Sequence, residues 1–284
     1  MRRPDRLDLH LPAATRVHGM ATRTRRGVAL VLVLWIVVIL GAVAAGLARD
    51  TQGAVGVAGN ARARAVARYA AESGIEAMVA AIEDTLATLA DTATRQHFLN
   101  GLELQQPAGD TVVLGDARFA VAVTDASARL DVNAATEEQL ARFFSHFTDL
   151  GQAATTARGI RGWIERRDGP VTNTRMLLDS GGTTRMIRPL SSLEELRSLR
   201  LVDERVAIQA APYLTVDGDG VINGVTASPL VRSVAGGEIH AEPSRLVLVS
   251  RGWRSGHPYT HEIQVVYAVS GNRLVLVHWR ERAL

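Results

Sequence analysis

Three clusters in this sequence carry residue types that could do chemistry, and each needs partners that its surroundings must supply. "LLDSGGTT" at 177–184 has the pattern of one half of an aspartic-protease site, a hydrophobic pair followed by Asp-Ser-Gly. That chemistry needs two carboxylates sharing a proton. No second copy exists, so Asp179 would need a second molecule and strand flanks, whereas the flanks read as loop; a glycine-rich turn is the better reading. "HPYTH" sets His257 and His261 four apart, a zinc spacing on a helix, but Pro258 and the strand-like neighbours favour loop histidines. "DGDG" at 217–220 offers the carboxylates of Asp217 and Asp219 as calcium loops do, yet without the rest of such a loop it reads as a tight turn. There is no cysteine, so no disulfide, thiolate or cysteine metal site. No Gly-x-Ser-x-Gly elbow, phosphate loop or dinucleotide fingerprint occurs, and an enzyme is not expected.

The elements that must position these residues begin with "TRTRRGVALVLVLWIVVILGAVAAGLARD" at 22–50. Val28 to Ala48 is uncharged, and a helix of that length at about 1.5 Å per residue just crosses a hydrocarbon core of about 30 Å. A secretory signal core is shorter, about 7–15 residues, although Ala42-Val43-Ala44 has the form of a cleavage site. Arg25-Arg26 also permits a twin-arginine reading, but the following run is long and apolar for one. A buried soluble helix would show a polar face, which this run lacks. Residues 1–27 hold seven arginines and two aspartates, which places the N-terminus in the cytoplasm and the rest outside. Without them the net charge of +3 becomes about −2, with 25 basic against 27 acidic residues. The basic pI therefore gives no support for a phosphate-binding body.

No proline interrupts Val28–Ala90, and Ile75, Met78, Val79, Ile82, Leu86 and Leu89 recur at helical steps. This predicts one long helix from about 28 to 90, weakened near Gly53, Gly56 and Gly59. "DTVVLGDARFAVAVTD" predicts a hairpin. Residues 129–214 are helical in pattern, with start signals at Thr136 and Ser192, around a glycine- and threonine-rich stretch over 167–189 expected to be a long loop. From Arg245 onward the pattern is an antiparallel meander. The fold class expected is α+β: a long N-terminal helix packed on an antiparallel sheet, with a large inserted all-α subdomain.

A basic leader ending in glycine, a long apolar helix and an α+β domain together resemble a type IV pilin-like protein. Such subunits usually carry a glutamate at the fifth mature position, which here is Leu32. A carboxylate in hydrocarbon needs a partner, and a subunit without one resembles the K-type minor pseudopilins of type II secretion systems. "LDVNAATEEQLARFF" at 130–144, "PLSSLEELRSL" at 189–199, "APYLTVDGDGVINGVTASP" at 211–229 and the ending "LVLVHWRE" are similar to segments of that family. The resemblance covers residues 23–282 or so. It implies processing between Gly27 and Val28 by prepilin peptidase and methylation of Val28, with Met20 as an alternative start.

It further implies a leader over 1–27, a transmembrane half-helix over 28–48, an amphipathic half over 49–90, a pilin-like α/β domain over 91–124 and 216–284, and the helical insert over 125–215. The implied role is structural, at the tip of the pseudopilus, initiating filament assembly and supporting export across the outer membrane. The implied partners are I- and J-type minor pseudopilins, other pseudopilins, prepilin peptidase and the inner membrane, with the C-terminal domain periplasmic and no nucleic acid. Members often bind calcium in an acid-rich loop, but 165–188 holds only Glu165, Asp168 and Asp179 as acids. Asp168, Asp179, Asp217 and Asp219 are therefore the candidates for a metal that needs several oxygen ligands, and calcium is the one cofactor the resemblance raises. The family's return passage often carries two prolines, where this chain has Pro229. An alternative resemblance is to membrane-anchored helix-hairpin-helix DNA-uptake proteins, or to a minor pilin of a related pilus. The hairpin needs glycines that "RSLRLVDERV" at 197–206 lacks.

Overall fold

The computed structural model describes residues 24–104, 110–165, 175–178, 184–187, 189–236 and 239–284; at 24–29, 50, 52–54, 175–178 and 184–187 it describes the backbone alone. The chain divides into two compact units, Met1–Gly59 and Asn60–Leu284. Helix α1 (Thr24–Thr88) contributes to both. In the first unit its described side chains from Leu30 to Ala45 are all exposed.

In the second unit the remainder of α1 lies on a sheet. Asp91, which caps helix α2 (Thr92–Gly101) by accepting from the Thr94 amide at 2.8 Å, follows the end of α1. The chain then forms β1 (Val112–Leu114) and β2 (Ala117–Asp125), joined through Gly115 at φ 63°. Next come β3 (Leu130–Asp131), α3 (Glu137–Phe144), α4 (Leu150–Ile164), β4 (Arg175–Leu178), β5 (Thr184–Ile187), α5 (Glu194–Ser198) and α6 (Glu204–Ala210). The chain continues through β6 (Leu214–Thr215), β7 (Ile222–Asn223), α7 (Pro229–Val234) and β8 (Ile239–His240). It closes on β9 (Arg245–Arg254), β10 (Thr260–Ser270) and β11 (Arg273–Ala283).

The main sheet has the order β1-β2-β9-β10-β11, antiparallel throughout. Period-2 alternation sends Leu246, Leu248, Ile263 and Val265 to one face, where they meet Ala71, Ile75, Ile82 and Leu86 of α1 in one core. Two glycines permit the approach. A Cβ on Gly252 would fall inside contact distance of the Ala67 carbonyl oxygen and the Ala71 amide nitrogen, and a Cβ on Gly74 would run into Ser250. The helix backbone therefore rides directly over β9.

β2 and β9 are neighbours, with Asp125 opposite Leu246, so the helical block between them is one excursion from what would otherwise be a hairpin. Ser127 and Ser244 clasp its two ends: their hydroxyls lie 2.8 Å apart, and the Ser244 amide donates to Ser127 Oγ at 3.0 Å. The block has its own core of Leu140, Phe143, Phe144, Ile160, Ile164 and Val231, among others. The expected α+β class, a long helix on an antiparallel sheet with a helical insertion, is what the chain forms.

Local expectations meet differences. Thr136 caps α3 with Gln139 in a reciprocal box, but α5 has Leu193 at its cap position, with no side-chain bond, in place of Ser192. The stretch expected to be a loop over 167–189 contains an antiparallel pair, β4 with β5, in which Leu178 opposes Thr184; the β-branched Thr184 and Ile187 suit a strand. Helix α7 was not anticipated. Ser228 caps it by accepting from the Val231 amide at 3.2 Å, with Pro229 in its first turn. Its Val231 and Val234 join the helical core, so that core extends past residue 215.

Candidate functional site

An exposed apolar segment lies in α1. Leu30–Arg49 has a mean hydropathy of 2.9 and no buried share, and by length and composition it is the one described helix that could cross a membrane. Leu32 lies in this segment, exposed, with no carboxylate at its position. Gly27 and Val28 lie in the backbone of α1. At helical steps Gly41, Ala44, Ala45 and Ala48 fall on one side, giving a face of small residues.

The acidic positions have partners of their own. Asp217 bonds Gln264 Nε2 at 2.8 Å and forms an ion pair with Arg280. Asp219 accepts from Ser244 Oγ at 2.9 Å and the Val221 amide at 3.1 Å, and meets Arg245 Nε at 3.4 Å. Together they hold the passage after β6 against the sheet face opposite α1. Behind them is Asp131. Its carboxyl is pushed up to about 6, chiefly by burial, against the bonds it accepts from the amides of Asn133 and Ala134, with repulsion from Asp217 and Asp219 added. Calcium wants six to eight oxygens, whereas guanidinium groups occupy these two carboxylates. Among the described residues no three His, Asp or Glu gather as a metal group. Asp217 and Asp219 therefore do not fit a calcium site; Asp168 and Asp179 lie outside the described residues.

Asp179 follows β4 directly, so the flanks of "LLDSGGTT" are strands where loop was expected. His257 and His261 are sent to different partners. His257 Nε2 lies 3.3 Å from Arg254 Nη1, while His261 Nε2 lies 3.1 Å from Glu281 Oε2. The α5–α6 turn has Arg200 at φ 53°, where glycine is favoured. The α6 amides that could meet a phosphate are taken by Asp203, which accepts from Arg205 at 3.0 Å and Val206 at 3.4 Å.

Two polar assemblies were missed in the sequence. Glu262, buried on β10, receives Arg251 Nε at 2.6 Å from β9 and Arg282 Nε at 2.8 Å from β11, a rung across three strands. Asp125 accepts from Asn223 Nδ2 at 2.8 Å, Thr226 Oγ1 at 2.6 Å and the Ser127 amide at 2.8 Å. Burial pushes its carboxyl up, against those bonds. Asn223 Nδ2 also bonds Asn100 Oδ1 at 2.7 Å, so this knot ties α2, β2 and the helical block together. Alternating charge on three paired strands could have pointed to the first; the second joins residues too distant in sequence to leave a signal.

No protein-family model matches the chain, and no curated protein matches it by sequence. Among solved structures, it is similar to a chain in the complex of GspK, GspI and GspJ from the type 2 secretion system of enterotoxigenic Escherichia coli. Identity is 16%, over 76% of this chain and 98% of that one, with a TM-score of 0.46. At that identity and score the likeness decides nothing about role.

Proposed function

We propose that this chain is a structural subunit of pilin type, a K-type minor pseudopilin that starts and caps the pseudopilus of a type II secretion system. The observation that carries the reading is a single helix, α1, bare and apolar over Leu30–Arg49 and packed on an antiparallel sheet over Ala63–Leu86. A membrane-inserted subunit that later joins a filament needs both. Leu32 in place of an acid suits a subunit with no neighbour above it. In this reading prepilin peptidase cuts between Gly27 and Val28 and the new N-terminus is methylated. The apolar segment holds the subunit in the inner membrane with the folded domain in the periplasm, and the small-residue face admits the helices of I- and J-type partners. The helical block supplies bulk at the tip.

The test is the intact mass of the protein from membranes that contain its prepilin peptidase. The expected product begins at methylated Val28, and Gly27→Trp abolishes it, leaving the full-length precursor. A product that begins near Ala45, or normal processing of Gly27→Trp, sinks the reading. Tight duplex-DNA binding that falls steeply with salt would favour the DNA-uptake alternative instead.

A further inference from the structure

The sheet is wider than the helix that covers it. α1 rides over β9, where Gly252 and Ser250 meet its backbone and Gly74. On β11 the same face is only partly covered: Leu274 is buried in the core, but Leu276 is 56% exposed and Trp279 39%. Both point to the α1 side, because Leu276 pairs with Tyr267 and Trp279 with Val265, whose side chains lie in that core. Plain alternation would put 276 and 279 on opposite faces. The irregularity at Val266/Tyr267 leaves Val277 without an opposite residue and brings Trp279 into phase with Leu276.

The wall of this shelf is the flank of α1. Glu83 accepts the Leu274 amide at 2.8 Å, and Arg68 reaches Glu281 at 3.2 Å, so this side of the helix overlooks β11. Helical spacing sets Glu72 and Glu76 on the same flank as Glu83. The Tyr267 phenol is raised by burial and then by Glu83 and Glu76, which locates both carboxylates near the shelf floor. Arg68 serves Glu72 and Glu281; no ion pair engages Glu76 among the described residues. The shelf is therefore an apolar floor with an acidic wall. Its dimensions suit a helix: neighbouring helix axes lie about 8–10 Å apart, close to two strand spacings of about 4.8 Å. A second helix beside α1 would thus lie above β11.

We propose that the shelf of Leu276 and Trp279 seats an amphipathic helix of another membrane-anchored subunit, its apolar stripe on those two side chains and an arginine- or lysine-bearing edge against Glu76 and Glu83. The proposal rests on the pilin-type reading and names the surface that meets the partner.

The chain contains no cysteine, so one can be placed without background. In the full-length protein, in host membranes with its own partner subunits, Leu276→Cys carries a benzophenone-maleimide. Val113→Cys on β1, 53% exposed, is the control. The expected result is an adduct about tenfold stronger at 276 than at 113, with the linked peptide in a basic amphipathic helix of a different subunit. Glu76→Lys, an exposed change, should reduce it about fivefold or more by like-charge repulsion. No enrichment over position 113, a link to a second copy of this chain or to an extended segment, or indifference to Glu76→Lys each overturns the proposal. The N-terminal mass from the same sample separates the two readings. A start at Val28 without the adduct overturns the shelf alone, whereas a start elsewhere overturns the pilin-type reading.

Discussion

Gly252 shows how a single missing carbon sets the position of a helix. A Cβ there would press on the Ala67 carbonyl and the Ala71 amide, rigid backbone that has no rotamer to change. Gly252→Ala should cost about 1–3 kcal/mol, the range for overpacking, seen as a lowered Tm of the folded domain. Ser250, next along the same face, is the reverse case. Its hydroxyl is buried and has no hydrogen-bond partner among the described residues. Ser250→Ala should be neutral or stabilising by up to about 1 kcal/mol, because it removes an unsatisfied group; a clear fall in Tm would mean the hydroxyl has an unseen partner. Asp131 adds a pH dependence. Its folded value, about 6, stands above the ordinary aspartate value of 3.8, so the folded state binds the extra proton between those limits and stability falls as pH rises through the window. The whole effect is up to about 3 kcal/mol. Asp131→Asn keeps an oxygen for the Asn133 amide and should flatten the Tm profile between pH 4 and 6; an unchanged slope would assign the titration elsewhere.

The rung of Arg251, Glu262 and Arg282 belongs to three strands at once, and its charges are unequally placed. Glu262 is buried, whereas both arginine side chains are more than half exposed. Removing the carboxylate frees two arginines into water; removing the arginines strands a charge. Glu262→Gln should therefore cost about 1 kcal/mol, and the double Arg251→Ala, Arg282→Ala about 3 kcal/mol or more. Equal losses in denaturant unfolding would refute that asymmetry. The same elements show what a sequence discloses. Ile75, Ile82 and Leu86 announced their helix because a packed face repeats every three or four residues, and Thr136 announced α3 because capping is local. β4 and β5 were hidden by glycine and threonine between them, and α7 by its length, six residues with Pro229 in the first turn. The apolar segment of α1 was legible from composition alone. The shelf was not, because Leu276 and Trp279 share a face only through a one-residue irregularity in pairing.

At the scale of the whole molecule, the clasp of Ser127 and Ser244 has an evolutionary and an engineering meaning. Since the ends of the helical block meet at hydrogen-bond distance just beyond the adjacent antiparallel strands β2 and β9, the block is arranged as a cassette, and lengthening, exchanging or losing it should leave the path of the chain on either side unchanged. Replacing residues 128–243 by an Asn-Gly turn should leave β2 and β9 in register, because two-residue turns of that type match the twist of a hairpin. The excision would uncover Val247, Val249, Val266 and Val277 on the far face of the sheet, so threonine at those four positions is part of the design. It would also leave Asp125 without Asn223 and Thr226, which calls for asparagine there. Retained strand signal and cooperative melting of the shortened protein would show the sheet and α1 to be a self-sufficient chassis; an unfolded product would show the cassette to be part of the frame. A scaffold with one such open joint lets a lineage alter the cargo it carries while the mount stays the same.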